Sequence, residues 1–93
     1  MDGMGSKQQV RIGDVVKSLD FVGVNNCFYV GLVTDIFENE GRFRATTVKR
    51  VWDGSVVSKI ETSETFESWL PGHQFFDDMA EEKGVEPRVQ VIA

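Results

Sequence analysis

Cysteine is almost missing from this chain: Cys27 stands alone among 93 residues. One thiol forms no intrachain disulfide, and it supplies neither a cysteine zinc site nor a CxxC redox pair. Lying within an apolar run, Cys27 reads as a small buried hydrophobe. Apolar runs of the roughly 18 residues that a membrane span needs are also missing. The opening residues Met1-Asp2-Gly3-Met4-Gly5-Ser6 lack the basic and apolar regions of a signal peptide. A soluble protein of a reducing, cytoplasmic compartment is the expectation. Positive charge is in deficit, with a formal net charge of −5. Proteins held to a phosphate backbone by counterion release usually carry a surplus of Lys and Arg, so the deficit argues against wholesale nucleic-acid binding. Histidine occurs once, at His73. No GxSxG elbow, phosphate-binding GxxxxGK[ST] loop or HExxH pair is present, and His73 reads as a residue opening a helix rather than as a general base. Asp77-Asp78 and Glu81-Glu82 spread around a solvated helix face without the spacing of a calcium loop. The chain is therefore expected to be neither an enzyme nor a metalloprotein, and no cofactor is implied.

What is present fits one compact domain, because 93 residues with 41% hydrophobic content cannot enclose two cores. Residues 1–9 show no periodicity and read as a flexible arm, with the domain proper at 10–93. "IGDVVKSLDF" reads as a strand opened by Gly13-Asp14. From Cys27 to Phe37 apolar residues occupy both parities: Cys27, Tyr29, Val33 and Phe37 on one face, Phe28, Val30, Leu32 and Ile36 on the other. Such a strand is expected to be buried on both sides, covered by a helix, by barrel closure or by another subunit. "ENEGR" reads as a tight turn with a positive φ at Gly41, and Arg42 to Trp52 as the returning strand. Asp53-Gly54 is the signature of a two-residue hairpin tip, which makes three consecutive antiparallel strands.

"TSETFESWLPG" ends at Pro71-Gly72 and reads as a loop or single helical turn laying Phe66, Trp69 and Leu70 on the sheet. In "HQFFDDMAEEKG" the spacing of Phe75, Phe76, Met79 and Ala80 predicts a short amphipathic helix stopped at Gly84. Pro87 bars its continuation, and "RVQVIA" reads as a last strand. A strand ending the chain leaves a poorly protected sheet edge, and pairing with a second copy is one way to satisfy it. The fold class expected is mostly β: a small, strongly bent five-stranded barrel with one short helix before the last strand.

Charge is segregated along the chain. Arg42, Arg44, Lys49, Arg50 and Lys59 face only Asp53 between residues 42 and 60, whereas the stretch from Glu61 to Arg88 holds eight acids against Lys83 and Arg88. Strand alternation puts Arg42, Arg44, Thr46, Val48, Arg50 and Trp52 on one face. That strip is able to cradle phosphates with a base stacked on Trp52. Equally, it fits a solvated face, or one neutralised by acids between Glu61 and Glu82 of the same or a neighbouring chain.

The inventory, and "YVGLVTDIFEN" in particular, resembles the Sm-like family of small barrels that assemble into rings by strand-edge pairing. The likeness covers residues 10–60. It implies an Asp-x-aromatic-x-Asn loop at Asp35, Phe37 and Asn39, in which the Asp orients the loop, the aromatic stacks on an unpaired base and the Asn bonds the base edge. A homo-oligomeric ring binding single-stranded RNA is the function so implied, with a ring serving protein contacts alone as the alternative. Glu38 stands where the family usually has a neutral apolar residue, and the family's second motif, ending in Gly, does not occur in "EPRVQVIA". Read without the resemblance, Asp35 and Asn39 shape a turn and Phe37 is a core or interface aromatic.

Overall fold

The computed structural model describes residues 9–57, 64–73 and 75–93. Residues 1–8 of the arm expected at 1–9, together with Lys59 and Glu61, lie outside them. Six strands and one helix follow in the order β1 (Val15–Phe21), β2 (Val24–Phe37), β3 (Arg42–Trp52), β4 (Ser55–Val56), β5 (Thr65–Trp69), α1 (Phe75–Lys83) and β6 (Val89–Val91). All pairings are antiparallel, in the order β4-β3-β2-β1-β6, with β5 also on β3. The fold is thus mostly β with one short helix before the last strand, as expected, but among the described residues the strands number six and the sheet does not close.

The additional strand is β5, where the sequence reading placed a loop or helical turn. Its residues alternate: Phe66 packs on the core and Ser68 is buried, while Thr65, Glu67 and Trp69 face outward. The Ser68 and Ser18 hydroxyls hydrogen-bond at 2.9 Å in the interior, so β1 and β5 approach across the bend through side chains.

Turn chemistry matches the sequence. A 3-10 turn at Glu38–Glu40 ends at Gly41 with φ 68°, where a side chain would be strained. Asp53 and Gly54 have φ 52° and 82°, both positive as a hairpin of the primed kind demands. The helix stops where Gly84 bonds back to Glu81, and Arg88 ties it to the sheet by donating to the Leu19 carbonyl at 2.9 Å while lying over the Phe76 ring.

The core gathers Val10, Val16, Val33, Phe43, Ala45, Leu70 and Val89, with Ile36, Phe66 and Val91 against it. Phe43 is fully buried, worth roughly 1.5–3 kcal/mol by removal of its ring from water. Among the described residues no helix is long and apolar enough to cross a membrane.

Two register shifts correct the expected face assignments. Val30 pairs with Lys49 and Gly31 with Thr47, so Val48 is an extra residue in β3; Val33 pairs with Ala45 and Asp35 with Arg44, so Thr34 is an extra residue in β2. One inserted residue reverses the parity beyond it. Ile36 therefore joins Val33 toward the core, and Phe37 turns to the other face. Nor is β2 covered on both sides: Leu32 is 42% exposed, and the bulged Val48 of neighbouring β3 is 61% exposed.

Gly31 permits the close approach of β5 to this bend. A Cβ there would collide with the Phe66 ring and stand 2.7 Å from the Thr46 carbonyl. Phe66 needs that room to stack on Tyr29 at 4.9 Å between ring centres. Replacement Gly31→Ala is expected to cost about 1–3 kcal/mol, the usual penalty of overpacking. Urea unfolding measures this, and Phe66→Leu in the same chain should recover part of the loss.

Candidate functional site

The residues singled out from sequence form two groups, on different faces. Cross-strand register sets Phe37, Arg42 and Trp69 in one row, Asp35, Arg44 and Glu67 in the next, and Leu32, Thr46 and Thr65 in a third. Directly opposed side chains on one face lie within contact reach, and here they use it. Glu67 sits between two arginines, accepting from Arg42 Nη2 on one oxygen and from Arg44 Nη2 at 2.7 Å and Nε at 3.1 Å on the other. The Arg44 guanidinium lies 5.3 Å from the Phe37 ring centre, and that of Arg42 lies 5.8 Å from the Trp69 ring. Arg42 also reaches Glu40 at 3.6 Å.

The electrostatics follow. Hydrogen bonding from Arg44, aided by the charge of Arg42, holds the Glu67 carboxyl below the ordinary glutamate range. Reciprocally, Glu67 and then Asp35 hold Arg44 more firmly protonated. Each guanidinium has an aromatic face and a carboxylate as its partners, so this outer face is charge-balanced.

Arg50 and Trp52 do not belong to that strip, contrary to the simple alternation. The bulge at Val48 turns Arg50 toward Tyr29, its partner across the strands, whose ring stacks on the core aromatic Phe66. The guanidinium lies 3.9 Å from the Tyr29 ring centre and 5.2 Å from that of Trp52, and Nη1 donates to Asp20 at 2.6 Å. Both partners of this ion pair are mostly covered, with side chains 16% and 17% exposed. Trp52 itself is half exposed.

In the loop, Asp35 is half-buried and accepts from the Thr34 hydroxyl at 3.0 Å, Phe37 is half-buried under Arg44, and Asn39 is exposed on the turn. Asp35 and Phe37 meet the arginines, whereas Asn39 stands apart in the 3-10 turn. Arg42 and Arg44 meet the expectation of neutralisation by an acid between Glu61 and Glu82; Arg50 is neutralised instead by Asp20. Sequence reasoning did not single out Asp20, Tyr29 or Glu67. For Glu67 a signal existed, since Thr-Phe-Glu-Ser-Trp alternates as a strand does.

His73 precedes the helix and its ring packs on the Gly41 backbone. Its loop is tied to the helix by Asp77, whose Oδ2 accepts the Gly72 N–H at 3.0 Å. The other carboxyl oxygen, Oδ1, is buried. Comparison with models of known protein families, with curated proteins and with solved structures finds no match to this chain.

Partial burial pushes the Asp77 carboxyl above the ordinary aspartate range, against an opposing pull from the Gly72 and Arg88 backbone and the Arg88 charge. A raised folded pKa means that the fold disfavours the ionised form. Stability is therefore lost as pH rises from the ordinary value through the raised one. Asp77→Asn keeps an acceptor for Gly72 and removes this dependence. Thermal unfolding at pH 3 and pH 7 is expected to show the variant gaining on the wild type at the higher pH.

Proposed function

We propose that this chain is a non-enzymatic Sm-like module that associates with further copies edge to edge into a ring and works through protein contacts rather than through an RNA pocket. The observation that carries the choice is Glu67. It occupies the two arginines that an RNA backbone would need, and Asp20 occupies the third. Counterion release requires cations free to meet phosphates. Here any phosphate would first have to displace a carboxylate already in hydrogen-bond contact. Phe37 is likewise under a guanidinium, so a base would compete with Arg44 for the ring.

Edge-to-edge association is supported by the open sheet. The strand order ends at β6 on one side and at β4 and β5 on the other, and sheet ends are natural templates for pairing. Exposed apolar side chains stand near these ends: Ile92 after β6, Val56 in β4 and Trp69 in β5. The uncovered Leu32 and Val48 on the outer face suit contact with protein more than with a phosphate chain.

Two experiments test the reading. In fluorescence anisotropy at about 150 mM salt, wild type is expected to show no saturable binding of single-stranded oligo(U) or oligo(A). Glu67→Ala, which frees Arg42 and Arg44, should bind weakly and lose that binding as salt rises. Saturable wild-type binding abolished by Phe37→Ala would restore the RNA reading. Sedimentation at micromolar concentration is expected to give a multimer that Ile92→Glu dissociates with its circular dichroism unchanged. A wild-type monomer would overturn the ring.

A further inference from the structure

A cleft of about 300 Å3 opens beside the turn at Glu38–Glu40. Ile36 and the turn residue Glu38 line it, whereas Asp35 and Phe37 lie in the arginine rows: neighbours alternate along β2, and the bulge at Thr34 puts Ile36 on the core side. Val10, Ile36, Leu70 and Pro71 supply its apolar walls, and Glu38 and His73 its principal polar groups. It is separate from the arginine rows and is not used by the function proposed above.

The walls are held in place by backbone bonds. Gly41 N–H donates to the Glu38 carbonyl at 3.0 Å, Leu70 N–H to the Gly41 carbonyl at 2.6 Å, and His73 N–H to the Leu70 carbonyl at 3.1 Å. The imidazole lies directly on the Gly41 backbone, where an added Cβ would stand 2.8 Å from the His73 Cβ and 3.0 Å from its ring. Two loops distant in sequence are thereby fixed on either side of the opening. A preformed wall spares a ligand the cost of ordering it.

The chemistry of the lining is selective. Among the described residues its polar groups are a carboxylate, an imidazole and the Gln9 amide. Phosphates and carboxylates would meet the like charge of Glu38. A cationic donor finds in Glu38 a charge-assisted partner. The volume lies at the small end of ligand sites, enough for one ring or a short branched chain. We propose that this cleft binds a small organic amine, its apolar body against Val10, Ile36 and Leu70 and its ammonium on Glu38, with an imidazole nitrogen of His73 as second acceptor.

The test is a titration of the full chain by nitrogen–proton correlation NMR with benzylamine, and in parallel with benzoate. Saturable shifts with benzylamine at Glu38, Gly41, Leu70 and His73, and none with benzoate, are expected. Glu38 is exposed, so Glu38→Gln should fold normally and weaken benzylamine roughly tenfold, the loss of one charge-assisted hydrogen bond. Lys49→Gln, away from the cleft, should leave the affinity unchanged. Absence of saturable benzylamine shifts, equal binding of benzoate, or undiminished affinity in Glu38→Gln would each overturn the proposal.

Discussion

Side chains alternate along a strand with a period of two, and a single inserted residue reverses which of them can meet. In this protein Thr34 in β2 and Val48 in β3 are such residues, and the surface chemistry depends on them. Beyond Thr34, Asp35 and Phe37 swing to the face of Arg42 and Arg44. Beyond Val48, Arg50 and Trp52 swing to the face of Tyr29. A strip that simple alternation would make continuous is divided in two. Each arginine ends against an aromatic ring and a carboxylate: Arg44 with Phe37 and Glu67, Arg42 with Trp69 and Glu67, Arg50 with Tyr29 and Asp20. The more exposed pairs on Glu67 add little stability. The consequence of the three pairings is that Arg42, Arg44 and Arg50 each meet a carboxylate of the same chain, while the fold rests on the cluster around Phe43.

Much of the fold was legible from local chemistry. Asp53-Gly54 announced its hairpin, "ENEGR" its turn with a left-handed Gly41, and the spacing of Phe76, Met79 and Ala80 its helix, because each signal resides in a few adjacent residues. Strand β5 was obscured by its neighbours. Pro71-Gly72 marks a break, and the five alternating residues before it are too few for their period to dominate. The bulges carried no mark in residue type, since Thr and Val are ordinary strand residues. Grouping Arg50 and Trp52 with Arg42 and Arg44 failed for that reason. Partners from distant segments, Asp20 for Arg50 and Ser18 for Ser68, exist only through the bend of the sheet.

The same geometry is the ground on which protein contacts are proposed in place of the RNA binding that the Sm-like resemblance implies. An Asp-x-aromatic-x-Asn loop does lie at the end of β2, with Asp35 and Phe37 together on one face. Phe37, however, supports a guanidinium that is itself bound to Glu67, and Asn39 stands apart on an exposed turn. A single-stranded base is read by an available ring and an available edge partner in one pocket. Under the proposed reading, uncovered apolar residues such as Leu32 and Val48 serve contacts with protein surfaces instead.

Because both arginines of the outer face converge on one carboxylate, direct titration of the Glu67 carboxyl by carbon-13 NMR is the sharpest measurement. The expected result is a wild-type pKa below the ordinary glutamate range that moves upward in Arg44→Gln. A wild-type value within the ordinary range, unmoved by that substitution, would contradict the neutralised strip and return Arg42 and Arg44 to solution as free cations.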